Sequence, residues 1–351
     1  MRGVRLRSIA SVAISILILV LGWSRIQQKV RESPSINDDG ILTLDELQNL
    51  PAGTLVAVVP QVGGSSPETL GYRILRLALE RSGEPFALGY GFTTTDQEQS
   101  VQRMASSSHP SRGNPSGLTV GFFGVGKDIN ARLRPVPIPL FGGLLGVRGL
   151  FVNRYRRERF QSVHSLEDLL PSTAIQGIGW SDVGILENAG IRTYTTEPSA
   201  ILEILNQDRI DFYPKGINEL EKQHQLIRRN YPSVELDRHI LLAYPFAMMF
   251  YVNPDNHRLH RAILTGLRRA HADGSYERLL RTHVFTPWLR RTLRLGDRTV
   301  IPIRNPDAVL LTSTVDPSYW IVPWRSLMQG RLRQGNQLCI HDLLRDLCQD
   351  P

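Results

Sequence analysis

From Thr54 onward, short apolar runs alternate with stretches whose apolar residues recur at helical spacing. "TLVAVVP" predicts a buried strand. "ETLGYRILRLALERSG" places Leu70, Ile74, Leu77 and Ala78 on one helix face, with Pro67 suited to the first turn and Gly83 to end it. "FALGYG" predicts a second strand, and "TTDQEQSVQRMAS" a helix capped by Thr94 or Thr95. A Ser/Pro/Gly-rich loop over 106–117 leads to a third strand, "GLTVGFFGV". This β-α-β-α-β order predicts a parallel sheet with helices packed on it.

The pattern then changes. "PVPIPLFGGLLGVRGLFVN" is a long extended apolar segment, and it predicts a strand that leaves one lobe and enters another. A second set of short strands and helices follows, from "SLEDLLP" through "GINELEKQHQLIRR". "HILLAYPFAMMFYVN" is a second long apolar segment able to cross back. A long helical stretch with a turn at Asp273–Gly274 closes the unit. The fold class is therefore α/β, with two lobes and two crossing hinge segments near 140–148 and 240–248.

The boundaries divide the chain into an N-terminal segment 1–30, a linker 31–53, lobe 1 over 54–145 and lobe 2 over 146–245. A return to lobe 1 with an extension covers 246–325, and a basic tail covers 326–351. In the linker, "LTLDELQNL" predicts a short helix with Thr43 and Glu46 as a capping box. In the extension, "RTVIPIRNP" and "SYWIVPW" predict extended segments that pack back on a lobe.

The N-terminus changes the picture of where this chain works. Arg2, Arg5 and Arg7 precede a run of about 15 apolar residues, Ile9 to Trp23, shorter than the ~20 of a spanning helix. No small-x-small cleavage motif follows. A cleaved signal peptide and an uncleaved signal-anchor both remain open, and either puts the rest of the chain outside the cytoplasm, in a periplasmic or extracytoplasmic place. The net charge of +8 favours an anionic partner. The arginines are scattered and show no nucleic-acid-binding pattern, so nucleic acid is not expected. The two cysteines, Cys339 and Cys348, lie in the tail, either bridged or as two free thiols.

Candidate chemistry is sparse. "QGIGWSDVGILENAG" reads as a strand end, a Gly-x-Gly turn and a helix opened by Ser181 and Asp182. A helix N-terminus with free N–H groups suits an anion, but Ser181 as a cap and Asp182 on the helix dipole explain the same residues. The loop after the first strand offers Gly64, Ser65 and Ser66 at a strand's carboxyl end, where α/β ligands gather; an ordinary turn fits equally. Arg148 interrupts an apolar run and needs a partner or water, either facing a cleft or in an interlobe ion pair. His257 and His260 stand three apart without a third ligand, and no Gly-x-Ser-x-Gly elbow is present. Neither a metal, a cofactor nor catalysis is expected.

The order and spacing of three motifs resemble the extracytoplasmic solute-binding proteins of the polar amino-acid transporter type, the type II periplasmic-binding fold. They are "NPDNHRLHRAILTGLRRAHADGSYERLLRTH", "SLEDLLPSTAIQGIGWSDVGILE" and "ILNQDRIDFYPKG", within a span of roughly 54–287. The resemblance implies a small-molecule ligand held between the lobes and read by a membrane permease or a sensor. It implies that Gly179, Trp180, Ser181 and Asp182 border the cleft, with Ser181 supplying a hydroxyl. It places Lys215–Gly216 where the family carries an Asp for an ammonium, with Tyr213 beside them as a further ligand-binding candidate, and a Lys there favours a polar or anionic ligand instead. It implies Lys127, Arg132 or Arg134 as a carboxylate clamp. An alternative is a membrane-tethered interaction protein that keeps the fold without a ligand.

Overall fold

The computed structural model describes residues 40–61, 66–106, 117–307, 311 and 315–348. The N-terminal segment, Gly64, Ser65 and most of the 106–117 loop lie outside the described residues. Among the described residues no helix is long and apolar enough to cross a membrane.

A short helix α1 (Leu44–Gln48) carries the capping box of Thr43 and Glu46. Lobe 1 then begins with β1 (Leu55–Gln61), α2 (Leu70–Ser82), β2 (Phe86–Thr94), α3 (Gln97–Ser106), β3 (Val120–Gly124), α4 (Lys127–Arg132) and β4 (Arg134–Pro135). β1 and β2 pair in parallel. β3 lies beside β1 through Thr119, whose N–H donates to the Val58 carbonyl at 3.0 Å and whose hydroxyl accepts from the Val58 N–H at 2.9 Å. Two local expectations need correction. Pro67 falls in the Ser66–Thr69 turn before α2, not in its first turn, because the Ser66 carbonyl accepts from the Thr69 N–H. Neither Thr94 nor Thr95 caps α3: Thr94 ends β2, Thr95 bonds Ser100, and the Asp96 carboxylate accepts from the Gln99 N–H at 2.8 Å.

Lobe 2 comprises β5 (Val147–Asn153), α5 (Arg157–Gln161), α6 (Leu166–Leu169), β6 (Thr173–Gly177), α7 (Val183–Asn188), β7 (Arg192–Thr196), α8 (Ile201–Asn206), β8 (Phe212–Gly216), α9 (Leu220–Asn230) and β9 (Val234–Ala243). The chain returns to lobe 1 with β10 (Met248–Val252), α10 (His257–Ala272) and α11 (Ser275–His283), broken at Gly274 with φ +70. β10 runs antiparallel between β3 and β4. The two long apolar segments therefore cross between lobes at 136–146 and 244–247, and they touch where the Tyr244 N–H donates to the Gly146 carbonyl at 3.0 Å.

After α12 (Pro287–Leu293), β11 (Thr299–Pro302) pairs in parallel with β9, so the extension joins the lobe 2 sheet, in the order β11-β9-β5-β8-β6-β7. The last described elements, α13 (Trp324–Met328) and α14 (Asp342–Arg345), add Leu327 and Leu343 to the same apolar core, and the turn between them adds Leu338. A Cys339–Cys348 disulfide closes this region, with Cα atoms 6.4 Å apart.

Lobe 1 depends on one close helix contact. Gly266 of α10 lies against the backbone of α2, and a Cβ there would collide with the Ala78 carbonyl. Backbone cannot move aside as a side chain can, so Gly266→Ala is expected to cost about 1–3 kcal/mol. Urea unfolding of the variant checks this; a loss within a few tenths of a kcal/mol would show that the helices separate freely.

Candidate functional site

The turn after β6 is built by two glycines for different reasons. Gly179 has φ +77, a left-handed conformation that side chains resist. Gly177 is extended backbone, but a Cβ there would collide with the Trp180 indole. The indole therefore folds back over its own strand. It stacks on Tyr213 of β8 at 6.4 Å between centroids and 29° between planes. The Lys215 ammonium lies 5.2 Å from the Trp180 ring and 5.6 Å from the Tyr213 ring, within cation–π range.

Beneath this aromatic wall lies a buried charge network. Arg148 of β5 and Asp182 are 4% and 3% exposed, and their nearest atoms, Nη2 and Oδ2, are 2.9 Å apart. The same Oδ2 accepts from Gln176 Nε2 at 2.9 Å and from the Tyr244 hydroxyl at 3.1 Å. The Arg148 guanidinium also lies 5.4 Å from the ring centroids of Tyr244 and Phe246 in the second crossing segment. Lys215 donates to Glu219 at 2.9 Å, and Glu219 stands 3.9 Å from Arg148. Arg148 Nε and Gln176 Oε1 are buried without a hydrogen-bond partner among the described residues.

The titration of these groups follows from that arrangement. Burial pulls Lys215 toward neutrality, but Glu219 and Tyr213 outweigh it and hold the ammonium above its ordinary range. Burial also opposes charge on Arg148, and Tyr244, Asp182 and Glu219 reverse the effect. Glu219 is pushed down by Lys215 and Arg148 against the opposing effect of burial. Burial raises the Tyr213 and Tyr244 phenols, so both stay protonated donors. Two cations face two carboxylates, and the network carries no excess charge.

Lobe 1 approaches this turn from the other side. Gln97 Nε2 donates to the Gly179 carbonyl at 3.5 Å. A Cβ at Gly124 would lie 3.1 Å from Ser181 Oγ and 2.6 Å from the Phe246 ring. The turn thus sits on the interlobe boundary, with Ser181 and Trp180 partly exposed there.

The structure brings Arg148, Gly179, Trp180, Ser181, Asp182, Tyr213 and Lys215 together. Lys127 and Arg132 lie on α4 and are engaged by other acids, Lys127 pairing with Asp307 at 3.2 Å and Arg132 with Glu98 at 2.6 Å. Arg134 lies beside His257, 2.8 Å from its Nδ1. Ser66 forms the turn before α2, its carbonyl accepting from the Tyr90 hydroxyl at 2.8 Å.

Three local readings change. Ser181 does not cap α7, because Asp182 holds the N-cap position. Asp182 makes no side-chain capping bond either, since its carboxylate turns inward to Arg148. Arg148 makes its ion pair within lobe 2 and not between lobes. Gln176, Glu219, Tyr244 and Gln97 were missed in the sequence. Gln176 alone gave a signal, as a polar residue inside an apolar strand.

Neither a protein-family model nor a curated protein matches the chain. Among solved structures it is similar to an ancestral arginine-binding protein bound to arginine, at 14% identity and TM-score 0.48, over 66% of this chain and 98% of that one. An amino acid ABC transporter substrate-binding protein from Streptococcus pneumoniae bound to L-arginine is similar at 9% identity and TM-score 0.46, over 66% and 94%. So is a histidine kinase sensor domain with similarity to periplasmic binding proteins, at 14% identity and TM-score 0.48, over 66% and 96%.

Proposed function

We propose that the chain is an extracytoplasmic binding protein that holds a small polar molecule between its lobes, for a permease or a sensor to read. The observation that carries this reading is the position of the Gly179–Asp182 turn, with a stacked aromatic wall on one side and Gln97 and Gly124 of lobe 1 on the other. Arg148 and Lys215 are already matched by Asp182 and Glu219, so a desolvated anion would meet no spare cation. This favours a neutral or zwitterionic ligand over a strongly anionic one. Glu219 is the most exposed member of the network, with 36% of its side chain open, but it too is already paired, with Lys215.

The second reading, a membrane-tethered interaction protein without a ligand, is favoured by one observation: the four charges, Arg148 and Asp182 buried and Lys215 and Glu219 partly so, satisfy one another without a guest. Native mass spectrometry of the full chain, purified gently from its own host, separates the two. A small added mass, released on denaturation and absent from a Trp180→Ala, Lys215→Ala variant, is the expected result. A clean apo mass, with no small molecule retained under any condition, would favour the interaction protein.

A further inference from the structure

The C-terminal extension touches both crossing segments. In the first, the Gly142 carbonyl accepts from the Ile321 N–H at 2.9 Å and the Val322 N–H at 3.3 Å. The Trp324 indole lies on Gly143 and Gly146, where a Cβ would stand 2.6 Å from its Nε1 and 2.9 Å from its ring. Trp324 is 4% exposed, and Ile321 fills the space a Cβ at Gly142 would need. At the second, the Ile303 N–H donates to the carbonyl of Ala243, the last residue of β9, at 2.9 Å, and Asn305 Nδ2 donates to the Pro245 carbonyl within the crossing at 2.6 Å.

The extension is also fixed to both lobes. On lobe 2, Trp288 packs against His224 of α9 at 5.0 Å, with the rings tilted, and β11 pairs with β9. Arg298, fully buried, donates to the Leu293 and Asp237 carbonyls, each at 2.7 Å. On lobe 1, Asp307 pairs with Lys127, Val315 belongs to the lobe 1 core, and Tyr319 packs on His271 of α10 at 4.8 Å. The described parts of the extension, 287–307 and 315–328, therefore run from lobe 2 to lobe 1 and over the hinge between them.

We propose that this extension is a strap that holds the two lobes in one relative arrangement. A rotation about the crossing segments changes the backbone at 142–146 and 243–247, and these are the residues the strap covers. Opening must break its contacts with the Gly142 and Pro245 carbonyls and lift Trp324 from two glycines. The strap acts whether or not a ligand binds, so it stands apart from the binding reading.

The test is the distance between spin labels on Glu80→Cys in lobe 1 and Glu203→Cys in lobe 2, both exposed, in the full chain with its native disulfide intact. The parent is expected to give one narrow distribution. Trp324→Ala is expected to broaden it and shift it to longer distances, and Asn305→Ala to shift it the same way by less. Circular dichroism shows whether Trp324→Ala folds; if it does not, Asn305→Ala decides. A distribution superimposable on the parent's in the folded variants would overturn the strap.

Discussion

Asp182→Ala is expected to lose about 3–5 kcal/mol of unfolding free energy, the cost of leaving a buried cation unpaired. Arg148 stays beneath the aromatic wall at 4% exposure, and its remaining acid, Glu219, is 3.9 Å away. Gln176 Nε2 and the Tyr244 hydroxyl lose their acceptor in the same step. Arg148→Met added to Asp182→Ala is expected to recover a large part of the loss, because a buried pair replaced by apolar volume is often near neutral. Urea unfolding of both single variants and the double variant completes the cycle. A loss below about 1 kcal/mol for Asp182→Ala, the range of an exposed pair, would show that water reaches the network.

Acid is expected to weaken the fold through His271, and His271→Phe to remove that part of the effect. The imidazole packs on Tyr276 at 4.0 Å in a tilted arrangement and meets Tyr319 edge-on at 4.8 Å. Burial holds its pKa down at about 4, against 6.5 in the unfolded chain. The neutral ring is favoured in the fold, so its contribution is whole above pH 6.5 and falls as pH approaches 4. The loss over that window is about 3 kcal/mol. His224, His260, His283 and His341 are shifted in the same direction by burial, so the parent's slope exceeds the part due to His271. Urea midpoints of parent and His271→Phe at pH 7 and 4.5 isolate it. Parallel slopes in the two proteins would refute the assignment. Because Tyr319 belongs to the strap, the same protonation strains the contact that ties the strap to lobe 1.

Local pattern carried most of the secondary structure. Alternating apolar runs and helical spacing placed β1, α2, β2, β3 and the α10–α11 break at Gly274, because each is decided by neighbours within a few residues. The two crossing segments were legible too, since apolar stretches as long as "PVPIPLFGGLLGVRGLFVN" exceed what one strand needs. The caps were harder. Asp96 takes the place expected of Thr94 or Thr95, one or two residues away, where sequence alone separates the options poorly.

Asp182 shows where local reading ends. Beside a helix start it reads as a dipole partner, yet a buried guanidinium outweighs that interaction, and Arg148 is 34 residues earlier in the chain. Glu219 likewise reads as a solvated helix residue until Lys215 turns toward it. The sequence by itself determined the elements, their order and the two-lobed division, which follow from hydrophobic period. Tertiary structure decided which charges neutralise one another and that β11 joins the lobe 2 sheet. It also decided that Trp324 rests on the hinge glycines. Each of these joins residues far apart in the chain, and a sequence pattern records the demand for burial but not the partner that meets it.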